Sequence, residues 1–348
     1  MSPSRILALV VAVLMAGALA MPSPVPAGQA PKKMKVGLVF DVGGRGDLSF
    51  NDMAYAGLER AGKEFSARIT TKYLEPSAGG ENREALLRLL AEDGYDLIFG
   101  IGFLFTDNIK KVAGQFPKVK FGLVDGFIEA LNDGSNVVCL LFKEHEGSFL
   151  VGAAAALKSR TGKIGFVGGM KIPLIEKFEA GYIAGARYVK PKIEVFSDYA
   201  GTTGEAFRDP VKGKELALAQ YDRGADIIYH ASGATGIGVF EAASVKKRLA
   251  IGVDADQSLT VKPDLRRHIL TSMLKRVDVA VYETIRAQVQ GKFKGGYATF
   301  GLKENGVGYA VNQHNRSMIQ DIAPRLDAIR KDIVAGKIKV PASRKELQ

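Results

Sequence analysis

Four places in the sequence put groups suited to polar recognition directly after apolar runs of strand length. Asp41 follows Lys35–Phe40 (KVGLVF), Asp125 follows Val119–Val124 (VKFGLV), Asp254 with Asp256 follows Leu249–Val253 (LAIGV), and Lys275 follows Ile269–Leu274. A carboxylate accepts two hydrogen bonds at once and so matches the paired hydroxyls of a ribose or another sugar. A lysine ammonium donates to a carbonyl or a ring nitrogen. The set reads as polyol recognition, although each aspartate taken singly is as well explained as a helix cap. For Asp47 the cap is preferred. Phe50, after the glycine loop Gly43, Gly44 and Gly46, offers a flat face on which an aromatic ligand can stack; alone, such a residue is more often core. Phe207, in the loop Ala200–Pro210, is the comparable ring in the second half of the chain. One ring from each half would make a sandwich that closes on a base.

Other chemistries find less support. His145, His230, His268 and His314 lie far apart, with no partner at metal-ligand or triad spacing. Asp254-Ala255-Asp256 fits a metal-binding D-x-D, a very short motif and the weaker reading. Gly44-x-Gly46 after a strand suggests a dinucleotide loop, but the third glycine of G-x-G-x-x-G is missing. Asp41 and Asp47 would also set negative charge where a pyrophosphate binds. The loop favours a neutral ligand, and neither a cofactor, a metal nor a catalytic residue is expected.

The elements that must position these groups alternate. The first strand, the glycine loop and a helical segment with apolar residues at Phe50, Met53, Ala54, Gly57, Leu58 and Ala61 open a doubly wound α/β sheet, whose ligands sit beyond the carboxyl ends of the strands. Strands are expected at 68–74, 96–101, 119–124, 136–142, 163–168, 192–199, 225–231, 249–253 and 269–274. Helices are expected at 81–92, 106–115, 147–158, 174–189, 211–223, 235–247, 277–290 and 318–335. Tyr297–Leu302 and Gly306–Val311 read as a hairpin around Glu304-Asn305-Gly306. Two successive runs of one pattern imply two similar lobes: 34–141 plus 256–291, and 142–255 plus 292–340. The chain then crosses back to complete both around a cleft.

At 348 residues, 47% of them apolar and 40 of them glycine, the chain is long enough for two cores. Its net charge of +11 is spread as single Lys and Arg residues, the pattern of a solvated surface and not of a nucleic-acid stripe. Met1–Ala20, with Arg5, the apolar run Ile6–Leu14 and small residues at Ala18 and Ala20, reads as a cleavable secretory signal, with Ala30 as the alternative end. A membrane anchor is disfavoured by Gly17, Pro22, Pro24 and Pro26. The one cysteine, Cys139, lies in an apolar run, so there is no internal disulfide and no cysteine near the cleavage point to carry a lipid.

The chain resembles the basic membrane protein (Bmp) family of ABC-transporter substrate-binding proteins, whose best understood type is the purine nucleoside receptor. The resemblance is carried by Asp41-Val-Gly-Gly with Asp47-Leu-Ser-Phe-Asn51, Phe121-Gly-Leu-Val-Asp125, Glu146-Gly-Ser-Phe-Leu-Val-Gly152 and Lys163-Ile-Gly-Phe-Val-Gly-Gly-Met170. Further on it rests on Gly181-Tyr-Ile-Ala-Gly185, Asp209-Pro-Val-Lys-Gly-Lys214, Ala231-Ser-Gly-Ala-Thr-Gly-Ile-Gly238, Ile251-Gly-Val-Asp-Ala-Asp-Gln257 and Thr271-Ser-Met-Leu-Lys275. The segments span nearly the whole chain in order.

The resemblance implies a type I periplasmic-binding fold, two α/β lobes joined by three crossings around a cleft that shuts on its ligand. It implies a base stacked between rings matching Phe50 and Phe207. Asp41, Asn51, Asp125, Asp254 and Lys275 would hold ribose and base, with Gly233 in a glycine loop beside the ligand. Two departures stand out. Many members carry a lipid cysteine absent here, and the loop 201–207 is longer than in the nucleoside receptors. The expectation is a monomeric periplasmic protein that captures a nucleoside-like small molecule for an inner-membrane ABC permease and binds no nucleic acid. The rivals are a nucleoside or sugar hydrolase and a receptor serving a membrane sensor.

Overall fold

The computed structural model describes residues 32–77 and 79–347. The expected signal segment lies outside the described residues. Two six-stranded sheets form the framework. The first has the order β11-β5-β4-β3-β1-β2 and the second β12-β10-β9-β8-β6-β7. In chain order the strands are β1 (Met34–Val39), β2 (Ile69–Leu74), β3 (Leu97–Ile101), β4 (Lys120–Val124), β5 (Val137–Phe142) and β6 (Lys163–Met170). They continue with β7 (Glu194–Gly201), β8 (Ile227–Ala231), β9 (Leu249–Asp254), β10 (Ile269–Lys275), β11 (Gly296–Phe300) and β12 (Val307–Tyr309). Every pairing is parallel except β10 with β12. Helices cover both faces of such sheets, so β1, β3, β4 and β8 are buried almost end to end and read as unbroken apolar runs.

The helices between the strands are α1 (Phe50–Glu64), α2 (Arg83–Glu92), α3 (Thr106–Gln115), α4 (Glu144–Lys158), α5 (Pro173–Val189), α6 (Pro210–Asp222) and α7 (Thr235–Lys246). The short α8 (Gln257–Thr260) and α9 (Pro263–Arg266), then α10 (Val277–Val289), α11 (Arg316–Ile319) and α12 (Ala323–Val334), complete the set. Tight backbone approach welds α4 to α5. A Cβ at Gly185 would stand 1.9 Å from the Phe149 carbonyl oxygen, and one at Gly152 would stand 2.1 Å from that of Tyr182. Only hydrogen fits at either point.

The last third of the chain departs from the expected lobe boundaries. β10 pairs with β9 and so belongs to the second sheet, not to the first lobe as the range 256–291 implied, whereas α10 returns to the first and packs on α1. The expected hairpin is a lobe crossing. β11 pairs with β5 in the first sheet and β12 with β10 in the second. The turn signal at Glu304-Asn305-Gly306 is real, since Gly306 N–H donates to the Gly301 carbonyl at 2.8 Å. The strand before it is drawn to β5 by register and by the stacked Phe142 and Phe300 rings, 5.2 Å apart. The expected helix 318–335 is two, α11 and α12.

Three crossings therefore join the lobes: β5 to α4, β10 to α10, and β11 to β12. They are tied to one another, with Lys143 N–H to the Phe300 carbonyl at 3.0 Å, Arg276 N–H to the Gly306 carbonyl at 2.8 Å, and Leu302 N–H to Glu146 Oε2 at 2.8 Å. The described residues from Lys33 onward form one compact unit.

Candidate functional site

In each sheet the strand order reverses beside its first strand, between β1 and β3 in one and β6 and β8 in the other. That is where open α/β sheets bind ligands. The carboxyl ends there supply Asp41 after β1, Gly102 after β3 and Asp125 after β4. From the second sheet come Ala231–Gly233 at β8, Asp254 at β9 and Lys275 at β10. These ends face one another across a cavity of about 590 Å³, its mouth included. Eight of the residues singled out from the sequence line it: Asp41, Phe50, Asn51, Asp125, Phe207, Gly233, Asp254 and Lys275; Asp256, grouped with Asp254 there, does not.

The glycine loop sets the first lobe's contribution. Gly43, Gly44 and Gly46 have φ of 103°, 55° and 91°, which turns the chain back so that Asn51 Oδ1 accepts the Asp41 backbone N–H at 3.1 Å. Asp47 caps α1 as expected: its two oxygens accept the backbone N–H groups of Ser49, Asn51 and Asp52 at 2.8–3.1 Å. The cap carboxylate is itself part of the cavity lining. Asp41 Oδ1 accepts from Val42 N–H at 2.7 Å and from Arg83 Nη2 at 3.1 Å. Burial pushes its acid up to about 6, against the pull of the Val42 N–H and the Arg83 guanidinium. A Cβ at Gly102 would lie 2.0 Å from Asp41 Oδ2, so this carboxylate needs a glycine beside it.

Asp125 and Asp254 share an uncommon backbone, with φ of 63° and 62°. Aspartate enters the left-handed region more readily than most residues, and there it turns its side chain off the strand end into the cavity. Burial pushes Asp254 up to about 7, partly offset by Lys275 and by the Ser49 hydroxyl. Lys275 Nζ lies 2.5 Å from Asp125 Oδ2 and 3.3 Å from Glu144 Oε1. It stands 5.0–5.4 Å from the ring centroids of Phe50, Phe142 and Phe178. Burial disfavours its charge, but Asp125, Glu144 and Asp254 outweigh that and hold it protonated beyond the ordinary lysine range. Asp125 Oδ1 is buried and has no partner.

Phe50 heads α1 with its ring against the core. Phe207 closes a short 3₁₀ turn, Gly204–Phe207, with its ring beside Gly169 and 6.3 Å from Phe103 at 67°. Gly233, with φ of 56°, would bring a Cβ to 2.9 Å from the Phe207 carbonyl. The sequence reading missed Phe103, Leu174, Ile175, Phe178 and Ser232, which also line the cavity. The strand-end rule would have found all but Phe178. Phe103 follows β3, Ser232 follows β8, and the first turn of α5 follows β6.

Chemically the cavity offers carboxylate acceptors, an ammonium donor and phenyl faces. Asp254 and Asp256 do not converge as a D-x-D would, since Asp254 takes the Ser49 hydroxyl while Asp256 takes Ser258 and Asn312. The histidines have separate surroundings: His230 bonds Gln257, His268 the Arg248 carbonyl, His314 lies against Gln313, and His145 Nδ1 is buried without a partner.

The model of a protein family described as "ABC transporter substrate-binding protein PnrA-like" matches residues 34–344. An "ABC transporter nucleoside-binding protein BmpA" of Lactococcus lactis is 36% identical over 330 residues, covering 90% of this chain and 91% of that one. A protein of Pyrococcus abyssi named as a lipoprotein is 41% identical over 293 residues, covering 80% of this chain and 69% of that one. That name runs against the unanchored form expected from the sequence. A crystal structure of an ABC-transporter solute-binding protein from Aeropyrum pernix K1 superimposes with a TM-score of 0.77 at 32% identity, covering 90% of this chain and 95% of that one. Two mostly parallel sheets meeting at a strand-end cavity, and a family match along nearly the whole described chain, lead to one assignment: the chain belongs to the Bmp family of ABC-transporter substrate-binding proteins, extracytoplasmic proteins that bind a small molecule and do not transform it.

Proposed function

We propose that the ligand is a purine nucleoside, held between the lobes and passed to an ABC permease. The observation that carries this reading is the juxtaposition, in one cavity, of Asp41, Asp125 and Asp254 with the rings of Phe50 and Phe207. Carboxylates suit the paired hydroxyls of a ribose, and phenyl faces suit a base. Asn51, Gly233 and Lys275 complete the contact set in this reading. Three carboxylates also make the cavity a poor host for a phosphate and a fair one for a neutral guest. The Lactococcus relative, named for nucleoside binding, points the same way.

Ligand bound to one lobe adds contacts to the other, so the closed form gains differential affinity and the permease reads that closed surface. Lobe boundaries in this reading fall at the three crossings. The protein acts as a monomer in the periplasm. A calorimetric screen of the purified protein against nucleosides, free bases, sugars and amino acids tests the proposal. Saturable binding of guanosine or inosine is expected; a strong heat with an amino acid or a free sugar and none with any nucleoside would overturn it.

A further inference from the structure

Glu144 is buried, charged and outside the cavity lining, and the sequence reading gave it no role. It is the first residue of α4, on the first crossing between the lobes, and its side chain is 1% exposed. A buried carboxylate needs a compensating partner. Its Oε1 faces Lys275 Nζ at 3.3 Å; its Oε2 has no hydrogen bond and only Lys177 Nζ nearby, at 3.4 Å. The same ammonium lies 2.5 Å from Asp125 Oδ2. Lys275 thus links a carboxylate on the crossing, Glu144, to one in the cavity lining, Asp125, whose Oδ1 is unpartnered.

We propose that Glu144 is a positioning residue for the ligand, holding Lys275 so that Asp125 keeps Oδ1 free as an acceptor. An ammonium has three donors and one charge to share. With Glu144 in place, that charge is divided between two carboxylates, and Asp125 remains a strong acceptor towards the cavity. Without it, Lys275 turns wholly to Asp125, drains its acceptor strength and is free to swing into the ligand's space. The charged neighbours of these three groups are Lys177, His145 and Glu146 near Glu144, and Asp254 and Asp41 towards the cavity. Among the described residues, the ion pairs to Lys275 are those of Asp125 and Glu144.

The proposal rests on the nucleoside reading for its ligand, and the test separates the two. Guanosine is titrated into wild type, Glu144→Gln, Asp125→Asn and the double variant. Glu144→Gln is expected to weaken binding about tenfold, the scale of one hydrogen bond to a charged group. In the Asp125→Asn background the same change is expected to cost nothing further, because Glu144 acts through Asp125. Equal fold losses in both backgrounds would overturn the proposal. If Glu144→Gln does not fold, Glu144→Asp serves in the same cycle, with a smaller loss that also vanishes beside Asp125→Asn. In the ligand-free protein, a carbon-13 carboxyl titration of Asp125 is expected to move to lower pH in Glu144→Gln, since a like charge has been removed. An unmoved titration overturns the proposal even if guanosine is not the ligand. Absence of guanosine binding in wild type, with the titration shifted, overturns the nucleoside reading alone.

Discussion

The Ser49 hydroxyl donates to Asp254 Oδ2 at 2.5 Å, although the two residues are 205 positions apart and belong to different lobes. The bond spans the cleft beside the cavity, from the N-terminus of α1 to the carboxyl end of β9. It is a lobe-to-lobe contact made by a group whose charge is adjustable in the physiological range.

That adjustability gives a pH signature. Burial raises the Asp254 acid from 3.8 to about 7, and Asp41 and Asp47 each to about 6. A raised acid is neutral in the fold over a range where it is ionised in the unfolded chain. Its stabilising contribution is therefore full below about pH 4 and lost as pH rises through about 6 to 7. The thermal midpoint of the ligand-free protein should fall between pH 5 and pH 8, and Asp254→Asn should flatten that fall. Scanning calorimetry across the interval checks it.

Lys275→Met should be strongly destabilising. It leaves Asp125 and Glu144 buried without their shared cation, a change that costs about 3–5 kcal/mol when one partner of a buried pair is removed. The orphaned carboxylates can take up protons, so the loss in a denaturant titration should be larger at pH 8 than at pH 5. Equal losses at both values would mean that the pair carries little of the charge balance.

Gly185→Ala tests packing apart from the site. The added Cβ meets a backbone oxygen of α4 and forces the α4–α5 pair apart, at about 1–3 kcal/mol by analogy with overpacked cores. Denaturant unfolding should show that loss. The guanosine affinity of the folded fraction should stay within about threefold of wild type, since α5 meets the cavity only at its opposite end, through Leu174, Ile175 and Phe178.

Phe50→Ala should weaken nucleoside binding by about 1–3 kcal/mol, the range for a base stacked on an aromatic ring. Binding of free ribose, should it be measurable, should change far less. An affinity for guanosine indifferent to Phe50→Ala would remove the stacking role.

Much of this was legible in the chain because central parallel strands are apolar throughout and stop abruptly. Asp41, Asp125 and Asp254 mark those stops, and the strand-end rule then collects them in one place. The rest was not legible. Whether β10 and β11 join the first or the second sheet depends on pairings formed far along the chain, and the Asn305-Gly306 turn looks the same in a hairpin and in a crossing. Glu144 was hidden by a helix boundary. The alanine-rich stretch suggested a start at Gly147, which left Glu144 in a presumed loop, whereas α4 begins at Glu144 itself and sets that residue against Lys275. Phe178 shows the same difficulty, since its periodic position on α5 is equally that of a core residue.

The central claim is that carboxylates and rings from both lobes grip a neutral nucleoside. Isothermal titration of guanosine, with guanosine 5′-monophosphate alongside, tests it most directly. Saturable one-to-one binding of guanosine and at least about tenfold weaker binding of the monophosphate, in keeping with a cavity lined by buried carboxylates, is the predicted result. A monophosphate that binds as tightly as guanosine, or a protein that ignores both, would contradict the account.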